Sequence, residues 1–267
     1  MYNAGKRNVL GILMNVIDYE GAIDFILRAV HAGQGATISA LAVHGLMTGV
    51  FDREQKFRLN HFDLLVPDGQ PVRWVLNRLY FAGLRDRVYG PDLTRKVCAR
   101  AATEKLPVYF YGSTPEILAA LRAELEVRHP DLLIAGMQPS KFRRLTPEEK
   151  IELAQQIRAS GAAITFVGLG CPRQEAFAYE FREHLQMPIL AVGAAFPFLA
   201  GITSQAPRWM QDAGLEWLFR LGLEPRRLWR RYLLLNPAYL FCVAMQALGV
   251  LHFSTDGQSP THELHYG

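Results

Sequence analysis

Four short segments combine charged or amide side chains with turn residues, and each supports a different chemistry. In Val66-Pro67-Asp68-Gly69-Gln70 a carboxylate follows an apolar run and precedes a second apolar pattern. Asp68 is either a turn former that caps the next helix or a general base whose surroundings tune its acidity. In Arg85-Asp86-Arg87-Val88-Tyr89-Gly90-Pro91 two guanidinium groups stand before a helix start. Such forks suit phosphates and carboxylates, and they equally suit a solvated loop. Gly112-Ser113 and Gly168-Leu169-Gly170 sit between an apolar run and a helix. Glycines there either let a backbone approach a diphosphate at a helix N-terminus or simply make a tight turn. The second pair lacks the third glycine of a dinucleotide fingerprint. Gln174 and Glu175 follow in the first turn of the next helix. Cys171 has no histidine beside it in sequence to activate it as a nucleophile.

A fifth segment is basic and aromatic. From Gln205 to Phe253 six arginines (208, 220, 226, 227, 230, 231) face three acids (212, 216, 224), a local excess of three within a chain of net charge +4. The arginine pairs 226/230 and 227/231 form adjacent stripes on one helix, with Trp229 and Tyr232 interleaved. Leu233–Phe253 then runs apolar, interrupted by Asn236, Pro237, Gln246 and His252. This pattern favours a monotopic contact with an anionic membrane surface over a true span, against the plainer reading of a soluble helical subdomain. The sequence carries no Asp-x-Asp, HExxH, Walker A loop or GxSxG. Without Asp-x-Asp, arginines and backbone N–H groups would have to balance a nucleotide diphosphate, and no metal or other cofactor is expected.

The elements that must position these groups follow from periodicity. Strands are expected at Val9–Leu13, Ala36–Val43, Leu64–Val66, Val108–Tyr111, Leu132–Ala135, Ile164–Val167 and Ile189–Val192. Helices are expected from the Asp18 cap to Ala32, from Pro91 to Glu104, over 114–128, from Thr146 to Ala159, and from Pro172. Strands apolar on both faces, each followed by a helix, predict an α/β fold with a Rossmann-like, mainly parallel sheet and helices on both faces. Ligands of such sheets bind at the carboxyl ends of the strands, where the first four segments lie. Residues 1–204 form this domain. Residues 205–253 form a helical appendage, with helix breaks at Gly222–Pro225 and Asn236-Pro237. Residues 254–267 form a polar, flexible tail. The 267 residues suffice for a full core. Three scattered cysteines suggest a reducing compartment, and the N-terminus does not read as a secretory signal.

Taken together, "VPDGQPV" (66–72), "DRVYGPDL" (86–93), "YGSTPE" (111–116), "GLGCPRQE" (168–175), "VGAAFPFLAG" (192–201) and "APRWMQDAGLEWLFRLGLEPRRLWRRY" (206–232) resemble the WecG/TagA/CpsF glycosyltransferases. The resemblance covers about residues 8 to 240. It implies an inverting, metal-independent transfer of a sugar from a UDP-sugar to a saccharide on a polyprenyl diphosphate lipid. The implied place of action is the cytoplasmic membrane, with the enzyme peripheral or monotopic on its inner face, and nucleic acid is not an implied partner. Asp68 maps to the family's proposed base. Arg87 and Gln174 map to donor-binding positions, and Ser39, Gly90, Gly112, Ser113, Gly168, Gly170 and Phe196 complete the implied donor surface. Arg208, Arg220, Arg227, Arg230 and Trp229 are the implied acceptor and membrane contacts. The chain departs from the family pattern where "ATISALAVHGLMTG" lacks the usual Thr-x-Asn, and where Pro197 replaces an acid. These changes, with "ALAVHGLMTG" and "FRLNHFDLLVPDGQPVRW", resemble the exopolysaccharide branch typified by a xanthan-type β-1,4-glucosyltransferase. UDP-glucose is therefore the first-choice donor, with N-acetylmannosamine or its uronic acid as alternatives within the family. A Rossmann-type oxidoreductase and a nucleic-acid-binding arginine helix are the readings from other classes.

Overall fold

The computed structural model describes residues 2–267, except the side chain of Arg231, so the 227/231 stripe lies partly outside the described residues. A six-stranded sheet, entirely parallel, has the order β4 (Leu64–Pro67), β3 (Ala36–Leu41), β8 (Pro188–Ala191), β7 (Ile164–Gly168), β5 (Val108–Gly112), β6 (Ile134–Gln138). Successive side chains point to opposite faces, and both sets are buried. Ile38, Leu64, Val66, Phe110, Phe166 and Leu190 enter one core. There they meet α1 (Tyr19–His31), α5 (Gly90–Thr103) and α6 (Pro115–Arg128). Leu41, Leu65, Tyr109, Tyr111, Val167 and Ile189 enter the other. That face is covered by α4 (Gln70–Tyr80), α7 (Pro147–Ala159), α8 (Arg173–Leu185) and an antiparallel hairpin of β1 (Asn3–Val9) and β2 (Ile12–Ile17). Double coverage is the reason these strands are mainly apolar on both faces, with Thr37, Ser39 and Thr165 as buried polar exceptions.

The expected caps are present. Asp18 accepts from Gly21 N–H, Thr114 opens α6, and Thr146 with Glu149 forms a reciprocal capping box on α7. The differences have physical causes. The expected strand Val9–Leu13 instead contains a chain reversal at Leu10-Gly11, hidden in sequence because the residues on either side of it, Val9-Leu10 and Ile12-Leu13, are apolar; Asn8 Oδ1 holds the turn by accepting from Gly11 N–H at 2.7 Å. Residues after Leu41 form α2 (Val43–Phe51) and α3 (Arg53–Asn60), neither of them expected. Asp52 caps α3 by accepting from Glu54 and Gln55 N–H. The strand expected at Leu132–Ala135 begins two residues later, as β6.

Beyond α9 (Ala195–Leu199) the appendage consists of α10 (Arg208–Asp212), α11 (Glu216–Leu223) and α12 (Pro225–Ala247). The break between α11 and α12 falls where expected. The break at Asn236-Pro237 does not occur, and α12 continues through Pro237. Packing on both sides of the proline holds the helix. Leu228 and Tyr239 are buried, the Tyr239 hydroxyl donates to Pro71 O at 3.2 Å, and Gln246 bonds the backbone of Asn8 and Leu10. The chain near α11 is pressed onto α4: a Cβ at Gly214 would fall 2.5 Å from the Trp74 ring. No helix among the described residues is long and apolar enough to cross a membrane.

Residues 254–267, expected as a flexible tail, are bound along the body. Asn60 donates to Thr255 O at 2.8 Å, and Gln258 N–H donates to Arg53 O at 2.9 Å. Leu264 and His265 N–H both donate to the buried Glu180 carboxylate, at 2.6 and 3.0 Å. Lys150 pairs with Glu263 at 2.7 Å. Polar composition misleads here because the tail is held by its backbone, not by apolar side chains. Removing residues 259–267 leaves the Glu180 carboxylate without its two donors. Stability should fall by about 2 kcal/mol in urea unfolding, and an unchanged midpoint would contradict the bound tail.

Candidate active site

All six strands run the same way, so their carboxyl ends share one rim. The segments that follow them line a cavity of about 520 Å³: Ala42–Gly45 after β3, Asp68–Pro71 after β4, Ser113-Thr114 after β5, Leu169–Cys171 after β7 and Val192–Ala194 after β8. The appendage closes it from above with Glu216, Trp217, Arg220, Glu224, Arg227 and Tyr232.

Asp68 leaves β4 beside Leu41, whose carbonyl accepts its N–H at 3.3 Å. It does not cap the helix that follows, since the N-cap of α4 is Gly69 with no side-chain bond. Its Oδ1 instead accepts from Gly90 N–H, at the start of α5, at 2.9 Å. The carboxyl touches solvent only through the cavity. That desolvation pushes its pKa up to about 6, against the opposing pull of Arg87 and the Gly90 N–H; Glu216 adds to the rise.

Arg87 is buried beside Asp68, but its hydrogen-bonding capacity is directed at the appendage. Nη1 forms an ion pair with Glu216 Oε2 at 2.7 Å, and Nη2 donates to Gln211 Oε1 at 2.9 Å. The guanidinium lies 4.1 Å from the Tyr89 ring centre, and the Tyr89 hydroxyl donates to Glu216 Oε1 at 3.2 Å. One appendage carboxylate thus engages both side chains that flank the start of α5. Burial is the main cause raising the Tyr89 phenol far above its ordinary range, so this hydroxyl stays protonated and donates.

Gln174 and Glu175 start α8 beneath the rim. Glu175 Oε1 accepts from Ser39 Oγ at 3.0 Å and from Gln174 Nε2 at 2.9 Å. Ser39 is thereby a buried support of this pair and is not among the cavity's lining residues. Gly112 and Gly168 also have a packing reason of their own. A Cβ on Gly112 would fall 2.8 Å from the Gly168 backbone, and one on Gly168 would fall 2.6 Å from the Phe196 ring. Phe196 is therefore core, packed edge-to-face against Phe110 beneath the site, whereas Pro197 and Phe198 reach the cavity. Ser113 and Gly170 line it, and a Cβ on Gly170 would meet no atom within 4 Å.

The expected appendage contacts divide. Arg220 and Arg227 line the cavity, Arg220 over the Phe198 ring and Arg227 paired with Glu224. Arg208 stands exposed near Asp86, and Arg230 packs on the half-exposed Trp229 outside the cavity. Among the described residues the one group of three possible metal ligands is Glu180, Glu263 and His265, under the tail and not in the cavity. Glu216 and Gln211 were not singled out from sequence. The available signal was an acid, Glu216, set within an arginine-rich segment, and its i+4 neighbour Arg220 masks that signal as a local pair.

The sequence model of the glycosyl transferase WecG/TagA/CpsF family matches residues 7–252, so the chain belongs to that family and is a glycosyltransferase with a sugar donor and an acceptor. The match spans both the parallel-sheet domain and the appendage that roofs the site. Because Arg87 is buried and the Glu216 side chain is only 14% exposed, removing the acid strands the guanidinium. Glu216→Ala should cost about 3 kcal/mol in urea unfolding. A loss below about 0.5 kcal/mol, as for an exposed pair, would show that the contact does not hold the appendage.

Proposed function

We propose that this glycosyltransferase of cell-surface glycan synthesis moves a hexose, with glucose the first choice, from a UDP-sugar to a saccharide carried on a polyprenyl diphosphate. The observation that carries the mechanism is Asp68: a carboxyl made less acidic by desolvation, on the floor of the cavity, next to a guanidinium. A base of this kind removes the acceptor hydroxyl proton as that oxygen bonds the anomeric carbon. The bond from that carbon to the phosphate oxygen breaks in the same step, its electron pair leaves with UDP, and the proton stays on Asp68. A single displacement inverts the centre. Developing charge on UDP would be offset by Arg87, Arg220 and Arg227, and by the N–H groups around Ser113 and Gly170, in a cavity where water screens little. Metal then has no assigned part.

The appendage supports a membrane role by its two faces. Leu235, Ala238 and Val243 pack on the body, while Leu233, Leu234, Leu240 and Phe241 are exposed along the same helix as Arg226 and Arg230. An apolar outer face flanked by cations suits the interface of an anionic bilayer, on the cytoplasmic side where a polyprenyl-linked acceptor would be presented. Closure over the site would favour transfer over hydrolysis.

The raised pKa of Asp68 has two opposite consequences. As a base Asp68 must be ionised, so activity should rise with pH through about 6. The fold, however, favours the protonated form. The stability Asp68 contributes is full below the ordinary carboxyl range and is lost as pH climbs to about 6. At pH 7 the ionised group therefore costs at most about 3 kcal/mol. Asp68→Asn keeps an acceptor for Gly90 N–H and removes the charge. It should cut kcat by roughly 10²–10⁴ while raising the unfolding free energy at pH 7. Near-normal turnover would remove Asp68 from the mechanism.

A further inference from the structure

Three buried oxygens in the cavity have no hydrogen-bond donor from the protein: Gln70 Oε1, Gln174 Oε1 and Glu175 Oε2. Their residues are at most 4% exposed, and all three line the cavity. The orientation of Gln174 is set by its neighbours. Its Nε2 donates to Glu175 Oε1, which Ser39 also occupies, so its oxygen turns outward over Gly193 at the end of β8. Gln174 and Ser39 serve Glu175 Oε1, with the Cys171 thiol and the residue's own N–H as weaker influences, and Oε2 has no hydrogen-bond partner. Burial is the largest influence on this carboxyl and raises its pKa against those donors. Leaving such acceptors unpaired is costly, on the order of 1–3 kcal/mol each.

The missing partners must be O–H or N–H donors, which excludes one part of the donor molecule. A diphosphate offers only acceptors, and it suits the arginines Arg220 and Arg227. Position identifies the part that fits. Gln70 is two residues from Asp68 in the same turn, and Ser39, which holds Glu175, lies on β3 next to β4. The sugar that carries the reacting carbon must lie beside the base, so the acceptors belong to the sugar and not to the nucleoside. We infer that Gln70, Gln174 and Glu175 form a hydroxyl-reading floor that selects an uncharged, hydroxyl-bearing hexose and rejects a hexuronate, whose carboxylate would set two further acceptors against them. The inference rests on the proposed UDP-sugar reading and names the class of sugar that reading leaves open.

Calorimetric titration of the full chain with UDP, UDP-glucose and UDP-glucuronate tests it. UDP-glucose should bind at least tenfold more tightly than UDP-glucuronate. Gln70→Met, of similar volume and without the acceptor, should weaken UDP-glucose binding fivefold or more and leave UDP within twofold. Equal or tighter binding of UDP-glucuronate overturns the inference, and so does a Gln70→Met variant that loses UDP as much as UDP-glucose. Failure of the wild type to bind UDP or either sugar nucleotide removes the donor reading itself and the inference with it.

Discussion

Asp68, Arg87 and Glu216 are two negative charges and one positive charge in a place with little water, and the organisation of the site follows from keeping them there. Desolvation drives the Asp68 carboxyl toward its neutral form, and the guanidinium it shares with Glu216 opposes this. Asp68 comes from the end of β4, Arg87 from the loop before α5, and Glu216 from the first turn of α11. The triad therefore joins the sheet, a helix start and the appendage. Moving the appendage away would leave Arg87 with Asp68 as its main counter-charge and would lower the acidity threshold of that carboxyl. Appendage position and base strength are thus linked through a single guanidinium.

The same constraint accounts for the two-faced appendage. Its inner side must be polar and aromatic to meet Arg87, Tyr89 and the cavity, so Gln211, Glu216 and Trp217 face inward. Its outer side carries Leu233, Leu234, Leu240 and Phe241, an arrangement that water alone would not favour. Pro237 lies between those outer residues without ending the helix, because Tyr239 and Gln246 fasten the following turns to the body.

Much of the fold was legible because local signals and burial agree. Strands buried on both faces are mainly apolar, and helix starts at Asp18, Thr114 and Thr146 carry side-chain caps. Legibility failed where a local pattern was overruled by a distant contact. The Leu10-Gly11 reversal falls inside an apolar run and is held by Asn8, Pro237 is held within a helix by packing, and the polar tail is held by backbone bonds to Glu180. The site behaves the same way. Asp68, Arg87, Ser113, Gly170 and Gln174 stand in short segments at strand ends and could be read directly. Glu216 could not, because its partners Arg87 and Tyr89 lie more than a hundred residues earlier in the chain. Gly112 and Gly168, read as ligand openings or tight turns, have a packing reason in the closeness of β5, β7 and Phe196, and Gly168 also lines the cavity.

Burial, more than its charged neighbours, sets the proton affinity of Asp68. Infrared difference spectroscopy between the wild type and Asp68→Asn, recorded against pH without substrate, follows that one carboxyl directly. A protonated-carboxyl band that disappears with a midpoint of about 6 is the predicted result. A midpoint near the ordinary aspartate value of about 3.9 would contradict it, and with it the account of how this site makes a base.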